Sequence, residues 1–369
     1  MIIAVVALLP VAYVFNGFRT STDEALHVNA IQRAGASYMR PLTTLLAALV
    51  DAQGAAVRGE PISTDAVRQA IDQVSQVDKA SGGQLSANQR WSQLRAEIEA
   101  ALGRAVSGPA AIANYAEPIG LTQALFSRIG DTSMIARNPG VDAQYLIDTA
   151  VTAVPEVIVN AGQVAGLART AGSADSRADS RADSRADPRM AIALDRISRA
   201  AQAIRAGPHS GAGQTAAGPA TTGLLEPLDE FTAAADGLVQ AASLPDFTAG
   251  ETLAALDRAL RRARQAAVGL DVAVLDALNV LLDRRLVELD AQRRNTLIAG
   301  GLIVAAAAVL LWLLWLGSNG LNRRLASWSE RPARTEPPDG PKHLDQERIG
   351  SVLAGVGRPA HARRPGEAR

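Results

Sequence analysis

Tyr38 and Arg40 stand two residues apart in a segment of helical spacing, and their types are suited to holding a ligand. A guanidinium set inside a helical bundle binds a carboxylate through two parallel N–H donors. With Tyr145, a phenol far along the chain, they form the candidate ligand-binding set. Two plainer readings stay open beside it. Pro41 lacks a backbone N–H, so Arg40 can serve the carbonyl left unpaired one turn earlier, or can simply be solvated. Tyr38, Trp91 and Tyr145 can equally be core aromatics.

Other reactive groupings are scarce. His27, His209, His343 and His361 are scattered and have no carboxylates at metal-ligand spacing, so solvated histidines and no metal centre are expected. There is no cysteine, which excludes disulfides, thiolate ligands and Cys nucleophiles. No Gly-rich phosphate loop occurs. Catalytic residues, enzymatic activity and a cofactor are therefore not expected. The 37 basic residues match the 37 acidic ones, so charge gives no ground for a nucleic-acid partner.

The elements that must position Tyr38, Arg40 and Tyr145 are helices. Apolar residues make up 48% of the 369, much of it Ala, against 4% aromatic. Ala, Leu, Arg and Glu lose little freedom in a helix, so this composition suits long helices packed side by side. Ser21-Thr22-Asp23-Glu24 fits a capping box and should open a first long helix. Ile31, Gly35, Tyr38, Leu42, Leu45 and Leu49 give that helix one buried face, and Gly54 with Gly59-Glu60-Pro61 should end it. Val67, Ile71 and Val74 make a second stripe, interrupted at Ser81-Gly82-Gly83. Ser86-x-x-Gln89 is a second capping box, ahead of Leu94, Ile98 and Leu102. Thr248-x-x-Glu251 is a third and begins the longest helix, whose stripe runs from Leu253 through Leu260, Leu270 and Leu278 to Leu286 and Leu289. At ~1.5 Å per residue the first and last helices would make rods of roughly 57 and 65 Å, the two stems of a bundle. Leu121 to Leu167, Met190 to Ala206 and Leu224 to Ala242 are helical in character. Asn138-Pro139-Gly140 is a turn signal, and Pro155 should kink its helix.

Each stem runs on into an apolar segment. Thr296 to Gly317 is uncharged throughout, with Trp312 and Trp315 near one end, and about 20 such residues cross a bilayer as a helix. Met1 to Phe18 is also uncharged and reads as an N-terminal anchor, with Pro10 as a possible kink. A cleaved signal peptide is its rival, but the basic n-region and a small-x-small site after the apolar run are missing. The expected organisation is therefore an anchor over 1–18, a helical domain over 19–295, a membrane helix over 296–317 and a disordered tail over 318–369. Arginines flank the second span equally (Arg284, Arg285, Arg293 and Arg294 before it, Arg323, Arg324, Arg331 and Arg334 after it), so the positive-inside count does not orient the chain.

Two loops break the domain. Residues 174–189 repeat Ala-Asp-Ser-Arg three times and close with Ala-Asp-Pro-Arg. In a helix this period of four would stack like charges, which repel, so a flexible surface loop is expected. Residues 207–223, rich in Gly, Pro, Ala and Thr, form the other. The tail is rich in Pro and Arg and too polar to pack a core.

Tyr38-Met39-Arg40-Pro41-Leu42 resembles the Tyr-Leu-Arg-Pro-Leu found in the helical sensor regions of two-span bacterial receptors. Those regions precede chemotaxis-receptor, histidine kinase and diguanylate cyclase output domains. Trp91 falls where a lone Trp is common in their second helix. Asp131-x-Ser133, the run Asn138 to Asp148 and Val154-Pro155-Glu156 are similar to a family pattern Asp-x-Ser-Asn-Leu-x-x-Asp-Pro-Asp-x-Asp-Ser-Tyr-Tyr-Leu-Met-Asp followed by Leu-Pro-x. Asn138, Gly140, Ala143 and Gln144 depart from that pattern. The resemblance spans roughly residues 20–290 and rests on some twenty positions.

Together these observations predict an all-α protein: an elongated helical bundle with coiled-coil-like stems between two transmembrane helices. The resemblance implies a two-pass protein of the bacterial plasma membrane with its central domain extracytoplasmic. It also implies a role in signal transduction with a separate cytoplasmic signalling partner, because no output domain is legible after residue 317, and the long helices should make a homodimer as coiled-coil stems do. A structural scaffold in the membrane, or the remnant of a histidine kinase or diguanylate cyclase that lost its output domain, are the alternatives.

Overall fold

The computed structural model describes residues 2–133, 141–171, 188–206, 223–242 and 250–326, and among them no strand occurs. The fold is an all-α bundle. In chain order the helices are α1 (Ile2–Arg58), α2 (Thr64–Val77), α3 (Asn88–Gly103), α4 (Ala110–Thr132), α5 (Val141–Asp148), α6 (Val154–Ala171), α7 (Pro188–Ala206), α8 (Leu225–Ala242) and α9 (Gly250–Ala326). Two π-helical turns, Asp78–Gly82 and Thr149–Ala153, follow α2 and α5. Contacts divide the chain into two units, Met1–Ala307 and Ala308–Arg369.

Within the first unit α1 is the hub, packing against α2, α4 and α6, while α3 packs on α4, α6 on α7 and α7 on α8. The predicted apolar stripes form the core. Tyr38, Leu42, Leu45 and Leu49 of α1 are fully buried, as are Val74, Leu94 and Ile98. Leu256, Leu260, Leu270, Val274 and Leu278 do the same for α9, and burial becomes partial by Leu286 and Leu289. Where α1 meets α6 the backbones come close: a Cβ on Gly162 would sit 2.5 Å from Cγ1 of Val50, itself buried. Gly162→Ala is therefore expected to lower stability by about 1–3 kcal/mol, the usual range for an overpacked core. Thermal unfolding checks this, and adding Val50→Ala to the same chain should recover part of the loss.

Several predicted boundaries move. The capping box at Ser21 starts nothing, because α1 already runs unbroken from Ile2 through Pro10 to Arg58. Amides inside a propagating helix have carbonyl partners four residues back and leave no orphan donor to cap. Gly54 lies inside α1, and the helix ends only at Gly59, in the left-handed region at φ 68°. There the Gly59 N–H donates to Ala56 O and the Glu60 N–H to Ala55 O, a Schellman stop. Ser86 caps nothing either, since α3 begins at Asn88 behind Ala87 and makes no side-chain cap bond. Ser86 itself has φ 51°, held in the reversal out of the π-turn.

Pro155 produces a widened turn. The π-turn Thr149–Ala153 directly precedes it, at the place where a proline removes the amide that would bond the Val151 carbonyl. Pro188 and Arg189, assigned to the repeat loop, open α7, with Pro188 at the first helical position, where its missing N–H costs nothing. The Asn138-Pro139-Gly140 turn, Thr248, residues 174–187, residues 207–222 and the tail from 327 lie outside the described residues.

Among the described residues two helical stretches are long and apolar enough to cross a membrane, Tyr145–Arg169 and Glu251–Leu310. They differ in where the apolar side chains go. In the first, Val154, Val157, Ile158, Ala161 and Val164 are all sealed in the bundle core. In the second the apolar side chains past Thr296 face outward: Leu297, Ile298, Leu302, Val304 and Leu310 are each about half exposed or more. An apolar surface of that kind marks a membrane or partner contact. Residues 296–317 continue α9 with no helix break at either edge.

Candidate functional site

The candidate site is the seam along which α1 and α9 run antiparallel. Charged pairs set its register, with Asp23–Arg293, Arg33–Asp283, Arg40–Asp276 and Asp51–Arg264 following one another along α1 as their partners descend α9. Along α1 the charges run acid, base, base, acid, against base, acid, acid, base on α9, so a one-turn slip would part all four pairs. Most of these groups are half exposed, and such pairs contribute at most ~1 kcal/mol each, so they specify alignment more than they stabilise. Arg264 differs, with most of its side chain buried; desolvation pulls its pKa down, against the charge of Asp51 2.5 Å away. On α6, Arg169 is bound to Asp257 of α9, and its pKa is likewise lowered chiefly by burial.

Polar groups also lie inside the seam. The Asn29 amide donates to Leu282 O across it at 3.1 Å. Thr43 and Asp271, both buried, meet at 2.7 Å between Oγ1 and Oδ2. Asp271 Oδ1 has no hydrogen-bond partner. Burial pushes the Asp271 carboxyl up to about 7, against the opposing pull of the Thr43 bond and the Arg40 charge.

The three residues singled out from the sequence take partners in three different elements. Tyr38 is buried, and its hydroxyl donates to Asp78 Oδ1 at 2.9 Å, in the first π-turn. Asn88 at the start of α3 donates to the other carboxylate oxygen at 3.1 Å. Burial first, and then the Asp78 charge, pushes the Tyr38 phenol well above its ordinary pKa, so it stays a donor. Arg40 lies at the surface of the seam, on Asp276. Tyr145 is raised chiefly by burial and donates to Ile204 O at 2.6 Å. That carbonyl belongs to the last turn of α7, where no intrahelical partner exists. Tyr145→Phe should therefore cost about 1 kcal/mol in chemical unfolding, the net worth of one hydrogen bond. Trp91 is buried in the core.

Asp78 and Asp271 were missed in the sequence, and both carried a signal. Asp78 continues the stripe Val67, Ile71, Val74 by one more turn. Asp271 is four residues after Ala267 and four before Leu275, on the buried face of α9. A carboxylate at core spacing is a buried acid or the partner of one. Among the described residues no three His, Cys, Asp or Glu side chains gather as a metal site. No family model, no curated protein and no solved structure matches the chain.

Proposed function

We propose that this is a membrane-anchored, sensor-like signal-transduction protein, with an extracytoplasmic helical bundle between two membrane spans. The observation that carries it is α9, one helix that is sealed against α1 in the core and bears bare apolar side chains past Thr296. In this reading α1 and α9 are stems that dimerise as coiled coils do. Small displacements between them, of ~1–2 Å, cross the membrane to a cytoplasmic signalling partner. The resemblance around Tyr38-Met39-Arg40-Pro41-Leu42 supports it.

Orientation tests it. Native cysteine is absent, so Ser180→Cys in the repeat and Ser351→Cys near the C-terminus can each be challenged in intact cells with a membrane-impermeant maleimide. Labelling of the first directly, and of the second only after permeabilisation, is the expected result. The reverse pattern puts the bundle in the cytoplasm and removes the sensor reading. One observation favours a scaffold instead: Tyr38, Arg40 and Tyr145 are each engaged by a partner inside the chain. A scaffold would copurify with stable partners and show no ligand-induced thermal shift.

A further inference from the structure

Thr43 Oγ1 has two neighbours that it cannot both serve as a donor. It lies 3.2 Å from Met39 O and 2.7 Å from Asp271 Oδ2, and a hydroxyl carries a single hydrogen. If Asp271 is ionised, Thr43 donates to Oδ2 and leaves Met39 O. The buried charge then holds one bond on one oxygen and none on the other. If Asp271 is protonated on Oδ2, the acid donates to Thr43 and Thr43 donates to Met39 O. Both hydrogens then find acceptors, and no charge is buried. The geometry selects the neutral acid.

The surrounding charges do not reverse this. From α1, Arg40 is the cation acting on Asp271, and Asp276 holds its guanidinium outward. Further along the seam Arg33 and Asp51 are bound to Asp283 and Arg264. Of the helices packed on α1, α6 carries Glu156 and Arg169, the latter bound to Asp257, α2 carries Asp65, Arg68 and Asp72, and α4 carries Glu117, Arg128 and Asp131. Among all these charges Arg40 alone acts appreciably on Asp271. On α9 the nearest charges in the chain are Arg264 and Asp276. The burial that lifts the carboxyl to about 7 acts in the same direction as the hydrogen-bond geometry.

We propose that the Thr43–Asp271 contact is a proton-operated catch between α1 and α9, closed while Asp271 is a neutral acid and parting the two helices at this level when its proton leaves to water. The ionised carboxylate draws water and Arg40 inward, away from Asp276. The catch follows from the seam alone and does not depend on the sensor reading.

Full-length protein in lipid nanodiscs tests it, with spin labels on Ser37→Cys and Val280→Cys. Both positions are exposed, and both fall between the Arg33–Asp283 and Arg40–Asp276 pairs. Double electron–electron resonance should show the distance distribution lengthening as pH rises from about 5 to about 9. Asp271→Asn, a neutral isostere, should keep the low-pH distribution throughout. A distribution that does not change with pH, or a response that persists in Asp271→Asn, overturns the catch. Should Asp271→Asn fail to fold, infrared spectroscopy of the otherwise native chain decides. A protonated-carboxyl band that disappears together with the distance change supports the catch, and the absence of such a band overturns it.

Discussion

Gly82→Ala is expected to destabilise the bundle by about 3 kcal/mol, more than most single-methyl additions. The added carbon would land on Asp78 Oδ1, 2.7 Å from Asp78 Cγ and 2.8 Å from Asn88 Nδ2. A flexible carboxylate would step aside, but this one is fixed at both oxygens by Tyr38 and Asn88. Displacing it leaves a buried phenol without its acceptor and unfastens the π-turn from α1 and α3. Chemical denaturation of Gly82→Ala beside Gly83→Ala checks the claim. A Cβ on Gly83 comes no closer than 3.6 Å to any neighbour, so that variant should remain near native stability. Equal losses in the two would show that backbone entropy, and not the Asp78 contact, governs the turn.

The second large effect is on pH. Asp271 is almost fully buried, and its carboxyl is raised from 3.8 to about 7. Between those values the folded chain holds a proton that the unfolded chain has released. Stability from this group is therefore complete below about pH 4 and is lost as pH climbs through about 7. A shift of this size corresponds to about 4 kcal/mol at most. Thermal melts across this range should fall with rising pH in the native chain and stay nearly level in Asp271→Asn. A native chain that is equally stable at both ends would show Asp271 to be ionised throughout.

The sequence made the helices legible because their stripes are long and regular. Leu42, Leu45 and Leu49, or Leu260, Leu270 and Leu278, leave no alternative to a buried helical face. Helix ends were harder to place. Ser21 and Ser86 have the chemistry of caps, but a cap acts only where amides are orphaned, and whether they are depends on what precedes. The pairing of α1 with α9 was suggested by their similar lengths and by the apolar segment into which each runs. Its register was not, because Asp23, Arg33, Arg40 and Asp51 can align with several residues of α9 until geometry chooses. The inward-facing acids escaped notice for a related reason. Asp78 and Asp271 fit their stripes by position but not by type, so a search for apolar residues passes over them.

The seam also sets an order of events while the chain is being made. Tyr38 meets Asp78 across 40 residues, so that contact can form early. Thr43 must wait for Asp271, 228 residues later, and Asn29 for Leu282, 253 later. At ~5–20 residues per second, α1 stands without its final partner for roughly 10–50 seconds of translation. For that interval its apolar face depends on α2, α4 and α6 for cover, and the seam side stays open. A chain ending anywhere in the 174–187 stretch would hold α1 to α6 without α7, α8 and α9, and the seam side of α1 would have nothing of its own to close on.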